Sequence, residues 1–499
     1  ELPREYPALA LAEAKAIRSL ASGAAWPDRV DLRKDLIFTI DPVDAKDFDD
    51  AVSLEELPGG EVRLGVHIAD VSHFVQPGSL LDAEAEKRGT SVYLPGQVVP
   101  MLPERLSNDL ASLRPDEDRL TKTVRITFAR GGKVKRFEVF RSVIRSRRRF
   151  TYEEALAILE NIETGKELRD LPEDHAAFTA VFRSMARLRD DLHKVRRERG
   201  ALYLDIPKLR LVLEPDGSVA ALGRDARDPS HALIEELMLA ANEAVASYFD
   251  EHNLPLVARV HPPPEERKLE ELKNFVKALG FRFDTRGGQE EFQKLIDEVS
   301  GDPLSSVIQL GLLRTMGHAE YVLGNGLHFA LATTSYCHFT SPIRRYPDLL
   351  VHQVLDEHFD QKLRRAARRE ELEARLPHAA EKASELERRA EEAEREMTSL
   401  LLIRHLAPMV GQEMDARIVS VHPFGFFVRV EETLVEGLIH VSGLGDDFYE
   451  FNREKLALRG KKKGKQFQVG ERVRVELHEV DADMRVIGFR FVKKLGAGK

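Results

Sequence analysis

The sequence predicts an α+β protein, and three changes of texture along the chain carry that expectation. Stretches such as Val62-Arg-Leu-Gly-Val-His-Ile68 and 121–128 alternate apolar and polar residues, as half-buried strands do. Helical periods dominate from Thr151 to about 406. From Gly411 the chain returns to short strands, which continue to about 492.

Residues 1–30 are rich in Ala and Leu with a weak helical period, and predict a helical segment or linker without chemistry of its own. Residues 31–144 read as β-rich, with Gly59-Gly60 and Gly131-Gly132 at hairpin turns. Thr151 with Glu154 makes a capping-box start. Asp228 before Pro229 opens another helix, with Ile234, Leu237, Met238, Ala241, Val245 and Tyr248 on one apolar stripe. Pro262-Pro-Pro264 breaks the chain before a further helix. Residues 361–395, dense in Ala, Glu and Arg, predict one or two long solvated surface helices laced by i,i+4 ion pairs. Strands at 414–421, 426–430, 437–440, 472–480 and 484–490 fit a five-stranded OB-type barrel. The expected units are 1–30, 31–406 and 411–495.

With 499 residues, 42% hydrophobic and 32% charged, the chain is long enough for a large core and has an ordinary globular composition. No apolar run approaches the roughly 20 residues that span a bilayer, and no signal-peptide pattern opens the chain. The single cysteine, Cys337, excludes an internal disulfide framework and fits a reducing, cytoplasmic setting. The chain opens on Glu1 rather than Met, as a trimmed or shortened product would.

Net charge is −9, yet its distribution is uneven. Between Lys122 and Arg149 there are eleven Lys or Arg against one Glu, and a second basic run is Arg459-Gly-Lys461-Lys462-Lys463-Gly-Lys465. Such stripes attract phosphates or simply solvate the outer face of a strand pair.

Five aspartates fall within ten residues at Asp41-Pro-Val-Asp44-Ala-Lys-Asp47-Phe-Asp49-Asp50, directly after the apolar Leu36-Ile-Phe-Thr-Ile40. Carboxylates so close repel each other, and burial makes this worse, unless a cation neutralises them. An all-oxygen set points to a hard ion, Mg2+ or Mn2+, and so to phosphate chemistry. A solvated loop or a Ca2+ site is the plainer reading. EF-hand spacing fails, however, because Val43 and Ala45 occupy ligand positions. In Ser341-Pro-Ile-Arg344-Arg345-Tyr346-Pro347-Asp348, two prolines bracket two arginines that either clamp a phosphate or pair with acidic neighbours. Tyr93, before Pro95-Gly96, either stacks on a base or is buried. Phe424, Phe426, Phe427 and His440 in the barrel form either a base-stacking face or core. His67, Asp70 and His73 suggest a metal site, but His67 sits within a strand, and a structural role is favoured. The absence of P-loop, GxSxG and CxxC-pair motifs argues against kinase, ATPase, serine-hydrolase and zinc-finger readings.

Four blocks then occur in a telling order: 39–50, Val66-His-Ile-Ala-Asp70, Tyr93-Leu-Pro-Gly96 through Met101-Leu-Pro-Glu-Arg-Leu-Ser107, and His338-Phe-Thr-Ser-Pro-Ile-Arg344-Arg345-Tyr346. The chain resembles the RNase II / RNase R family of exoribonucleases, and the Asp41 and Ser341 blocks read closer to RNase R. The resemblance implies a catalytic domain with a mixed sheet flanked by helices around an RNA channel, followed by an RNA-binding OB-fold of ribosomal-protein S-one type. It implies a monomer that processively hydrolyses single-stranded RNA from 3′ to 5′ into 5′-mononucleotides, with a divalent metal.

By the same resemblance, Asp41, Asp47, Asp49 and Asp50 are the catalytic, metal-holding aspartates, and Asp44 is peripheral. Tyr93 stacks on the 3′-terminal base. Arg344 contacts the scissile phosphate, with Arg345 beside it on the RNA. Glu394 is a glutamate near the site. Ala258 stands where an aromatic is common, so a second stacking aromatic is not placed. The family usually carries two cold-shock domains before the catalytic one, whereas about 30 residues precede it here. Two other readings compete: a catalytically silent RNA-binding protein on the same fold, and a metal-dependent endonuclease.

Overall fold

The alternating stretches between residues 30 and 151 build one seven-stranded mixed sheet. In chain order its strands are β1 (Val30–Asp31), β2 (Phe38–Asp41), β3 (Asp50–Leu57) and β4 (Glu61–Ala69). A separate small hairpin follows, β5 (Val92–Leu94) with β6 (Gln97–Val99). The sheet resumes with β7 (Asp118–Phe128), β8 (Val134–Arg145) and β9 (Arg148–Thr151). The spatial order is β1-β8-β7-β4-β3-β2-β9, parallel at β1–β8 and β2–β9 and antiparallel elsewhere. The computed structural model describes residues 2–165, 175–225, 228–445 and 447–496.

All four residues of β2 are buried, because helices Tyr152–Thr164 and His175–Glu198 cover this part of the sheet. Phe38 packs edge-on against Phe150 (5.4 Å) and stacks on Phe182 (5.3 Å). The Asp-rich segment thus leaves a strand fixed from both sides and re-enters the sheet at β3, whose Val52 pairs with Phe38. Thr151 caps its helix with the reciprocal Glu154 bond, and Asp228 caps Pro229–Glu251 through the backbone N–H groups of Ser230 and His231, both as expected.

The stretch around 361–395 departs from the solvated surface helices expected. It lies in a single 41-residue helix, Ala366–Leu406, that buries Leu372, Leu376, Ala379, Ala380, Ala383 and Ala390. Its small residues let it lie close against the two-stranded antiparallel sheet formed by Val257–Val260 and Glu320–Leu323, where Ser384 Oγ accepts from the Tyr321 amide. The periodic stripe of small residues was masked in the sequence by the density of Glu and Arg. Strands Glu413–His422, Gly425–Val430, Glu436–His440, Arg472–Asp481 and Val486–Lys494 close into the five-stranded barrel. An unanticipated three-stranded sheet, spanning Tyr449–Asn452, Ala457–Gly460 and Gln466–Gln468, is inserted before the fourth barrel strand. Among the described residues no helix is long and apolar enough to cross a membrane.

Candidate active site

Asp41 ends β2 and Asp50 begins β3, so the chain between them returns the carboxylates to one end of the sheet. Asp41 and Asp49 are buried (7% and 4% exposed), Asp47 and Asp50 are half-buried, and Asp44 is exposed, peripheral as expected. Asp49 is seated through Oδ1, which accepts the Ile343 amide at 2.8 Å. Asp41 Oδ2 and Asp49 Oδ2 are buried without a hydrogen-bond partner. Buried acceptors are almost always satisfied, so two such oxygens in one Asp-rich segment mark a place where the fold leaves hydrogen-bonding capacity unused. Burial, and then the neighbouring Asp50 carboxylate, push the Asp41 carboxyl up to about 8. Burial raises Asp49 well above the usual carboxylate range, against the pull of Arg344. Burial takes Asp50 up to about 6.

Such shifts run in the direction that a bound cation would reverse. Among the described residues no three His, Cys, Asp or Glu side chains close into a ready-made cage. Mg2+ does not require one, since it keeps several waters and binds through one or two carboxylates plus substrate phosphate oxygens. Neighbouring carboxylates, two of them with orphaned oxygens, fit that ion.

Arg344 and Tyr93 join this cluster. Arg344 Nε lies 3.6 Å from Asp49 Oδ2, its side chain 42% exposed, so the guanidinium is tethered yet open to a ligand. Tyr93 sits on the exposed face of β5, and its hydroxyl donates to Asp47 Oδ2 at 3.3 Å. Arg345 does not join them. It is locked in a bidentate pair with buried Asp348 (2.8 and 2.7 Å), which itself accepts the Ser341 amide. The expected RNA contact at Arg345 is corrected to a structural one that shapes the loop presenting Arg344. Glu394 lies beside the cluster, where it accepts the Tyr93 amide at 2.8 Å and so seats the hairpin. Ala258 is fully buried in its strand, with no aromatic in its place.

The basic stripe is largely consumed by the fold. Lys122 is fully buried and pairs with Asp70 and with Asp356 at 3.0 Å. Arg141 pairs with Asp356 and Asp360, and Arg145 with Asp118, each at 2.7 Å. Arg149 holds the Pro42 and Val43 carbonyls, and so braces the Asp-rich loop. His67 is buried between Ser53 and Thr123, and Asp70 is ion-paired, which leaves both structural as favoured.

In the barrel, Phe426 is fully buried and stacks on Phe467 (4.9 Å), so its place in a base-stacking face is corrected to core. Phe424 is 45% exposed and lies parallel to His422 (5.2 Å, 8°), with Phe427 half-buried edge-on to His422 and the exposed His440 paired with Gly425 on the adjacent strand.

One site neighbour escaped the sequence reading. Asp41 registers with Thr151 across the parallel β2–β9 pair, which brings Tyr152 beside the aspartates. Burial, then Asp50 and Asp41, hold its hydroxyl above the ordinary tyrosine range, and its ring stacks on His231 (3.9 Å, 6°). Only the strand pairing reveals this; Tyr152 is otherwise an ordinary helix-start residue.

Comparison with known proteins agrees with this architecture. Residues 29–361 match the RNB domain family and 407–490 the S1 RNA binding domain. Ribonuclease R of Thermotoga maritima is 40% identical over 496 residues, covering 99% of this chain and 69% of that protein. Mycoplasma genitalium RNase R in complex with ribose methylated single-stranded RNA superposes with a TM-score of 0.91 at 30% identity, covering 98% of this chain and 76% of that one. The same enzyme in complex with double-stranded RNA gives 0.86 at 28% identity, covering 98% of this chain and 81% of that one. With the RNB match spanning most of the chain and these relatives aligned almost from end to end, the protein belongs to the RNB family, in its ribonuclease R group.

Proposed function

We propose that this chain is a processive, metal-dependent 3′→5′ exoribonuclease that acts as a monomer on single-stranded RNA, and on duplexes with a 3′ overhang, releasing 5′-mononucleotides. The observation that carries the reading is the pair of orphaned, buried carboxylate oxygens on Asp41 and Asp49 beside a tethered but open Arg344. Family membership and the RNA-bound relatives support it.

Asp41, Asp47, Asp49 and Asp50 would hold Mg2+ or Mn2+. When bound, such ions lower the pKa of a coordinated water and offset charge on a phosphodiester. Arg344 offers its guanidinium to the non-bridging phosphate oxygens, and its link to Asp49 keeps it in register with the metal-holding carboxylates. The exposed Tyr93 ring offers the terminal base a stacking face, with its hydroxyl braced on Asp47. Arg345 and Asp348 keep the Arg344 loop from moving.

The test is a 5′-labelled RNA with a single-stranded 3′ tail beside a duplex, incubated with Mg2+ and then with EDTA. Metal-dependent collapse to very short products through the duplex is expected. Binding without cleavage refutes catalysis, and mixed-length internal fragments refute the exonucleolytic direction.

A further inference from the structure

Tyr93 stands on a hairpin only three residues long on each strand, and so small a two-stranded unit is marginal without outside support. The main core does not supply that support. Val92, Leu94 and Val99 form a separate small cluster with Ala390 of the long helix, completed by Ala393, Met397 and Leu2. Leu2 comes from the other end of the chain's fold, the segment expected to be an inert linker.

The same segment is tied to the base of the hairpin. Tyr6 donates through its hydroxyl to the Pro100 carbonyl at 2.6 Å, one residue beyond β6. The Arg88 side chain, 2% exposed, donates to the Pro100 carbonyl (3.1 Å), the Glu5 carbonyl (2.7 Å) and Glu84 (2.9 Å), and lies 3.8 Å over the Tyr6 ring. A buried guanidinium whose rigid fork is spent on two backbone carbonyls and a carboxylate fixes the chain on both sides of it. On the far side, Ser91 joins the hairpin to the Arg344 loop by accepting the Met101 amide and donating its own amide to the Arg344 carbonyl (2.9 Å each).

We propose that residues 2–6 are a positioning strap. Leu2 completes the apolar cushion behind the hairpin, and Tyr6 with Arg88 fixes its base, so that the Tyr93 ring is held where the terminal base must stack. Loss of the strap leaves the sheet and the aspartates intact, because their core is a different cluster, and instead lets the stacking face drift. Displacements near one ångström at a positioning group are enough to slow an enzyme.

The proposal rests on the stacking role given to Tyr93, and the test separates the two. KM and kcat are measured on a single-stranded RNA oligomer with Mg2+ for Leu2→Asp, Tyr6→Ala and Tyr6→Phe, each with Tyr93 and with Tyr93→Ala. Leu2→Asp and Tyr6→Ala are expected to raise KM about five- to tenfold when Tyr93 is present, and to add less than about twofold to Tyr93→Ala. Tyr6→Phe keeps the ring under Arg88 and is expected to lose about twofold. Thermal unfolding of each variant accompanies the kinetics, and a midpoint close to that of the parent chain is expected. Equal losses in both Tyr93 backgrounds, or none in either, overturn the strap. A Tyr93→Ala enzyme that matches the parent overturns the stacking role, and the strap with it.

Discussion

Two groups of charge are buried along the same sheet, and the fold treats them in opposite ways. Around Asp70 every charge is answered: Arg29 at 2.6 Å, Lys122 within hydrogen-bond reach, and Asp356 bridging Lys122 and Arg141. Lys122 and, less closely, Arg29 hold the Asp70 carboxyl well below the usual range despite its burial. Around Asp41 and Asp49 two carboxylate oxygens lack a hydrogen-bond donor, the partly exposed Arg344 reaches Asp49 only at 3.6 Å, and burial drives the carboxyls upward. Every charge of the Asp70 cluster has an opposite charge in close contact, although Arg29 Nε itself lacks a hydrogen-bond partner. The weaker pairing of the aspartate cluster is what the proposed metal site would require.

The sharpest way to break this comparison is Asp49→Asn. It is expected to reduce RNA cleavage at least about a thousandfold, while binding of a single-stranded RNA, read by fluorescence anisotropy, is retained. Near-parental cleavage would place the chemistry elsewhere. The matching change at the answered cluster is Lys122→Met. It leaves Asp70 to Arg29 and Asp356 to Arg141, with one buried positive charge removed from between two carboxylates, and is expected to cost about 3–5 kcal/mol in denaturant unfolding. Asp49→Asn, by contrast, removes a carboxyl whose charged form burial already disfavours against the pull of Arg344, and is expected to leave metal-free stability unchanged or higher. If the two substitutions destabilise alike, the distinction between the clusters fails.

Phe424→Ala tests the barrel by the same logic of exposure. It is expected to weaken RNA binding by about 1–3 kcal/mol, one stacked base, with little change in unfolding, whereas Phe426→Ala should act on stability alone. The smallest effect concerns pH. Asp41 stands near 8 in the folded chain against an ordinary 3.8. Between those values the folded chain keeps a proton that the unfolded chain has released. That contribution to stability is therefore complete below 3.8 and is lost as pH rises through 8. A divalent cation replaces the proton, so Mg2+ over EDTA should raise Tm by about 2–4 °C more at pH 8 than at pH 5.5. A metal-induced shift independent of pH would detach the ion from these carboxylates.

Much of the site was legible because its chemistry is local in sequence. An apolar strand running into five aspartates states its own conflict, and the proposed hard cation is the answer that electrostatics suggests without any fold. The barrel's strands and the helix caps are equally local. What failed were choices between near-identical residues: Arg344 or Arg345, Phe424 or Phe426, Lys122 as a phosphate contact or as core. Each pair carries the same side-chain chemistry, and only the partner decides. Asp348 takes Arg345, Phe467 takes Phe426, and Asp70 with Asp356 takes Lys122.

The amino-acid sequence by itself determined the broad order of strands and helices, without the three-stranded insert of the barrel region, and the position of the carboxylate cluster at a strand end. Periodicity, capping and like-charge repulsion act over a few residues and need no long-range information. Tertiary structure decided which of those charges remain open. Ile343 reaches Asp49 across 294 residues, Glu394 reaches the Tyr93 amide across 301, and Asp356 reaches Lys122 across 234. Whether a buried charge serves the fold or a ligand depends on whether such a distant partner arrives, and that is settled only when the chain closes on itself.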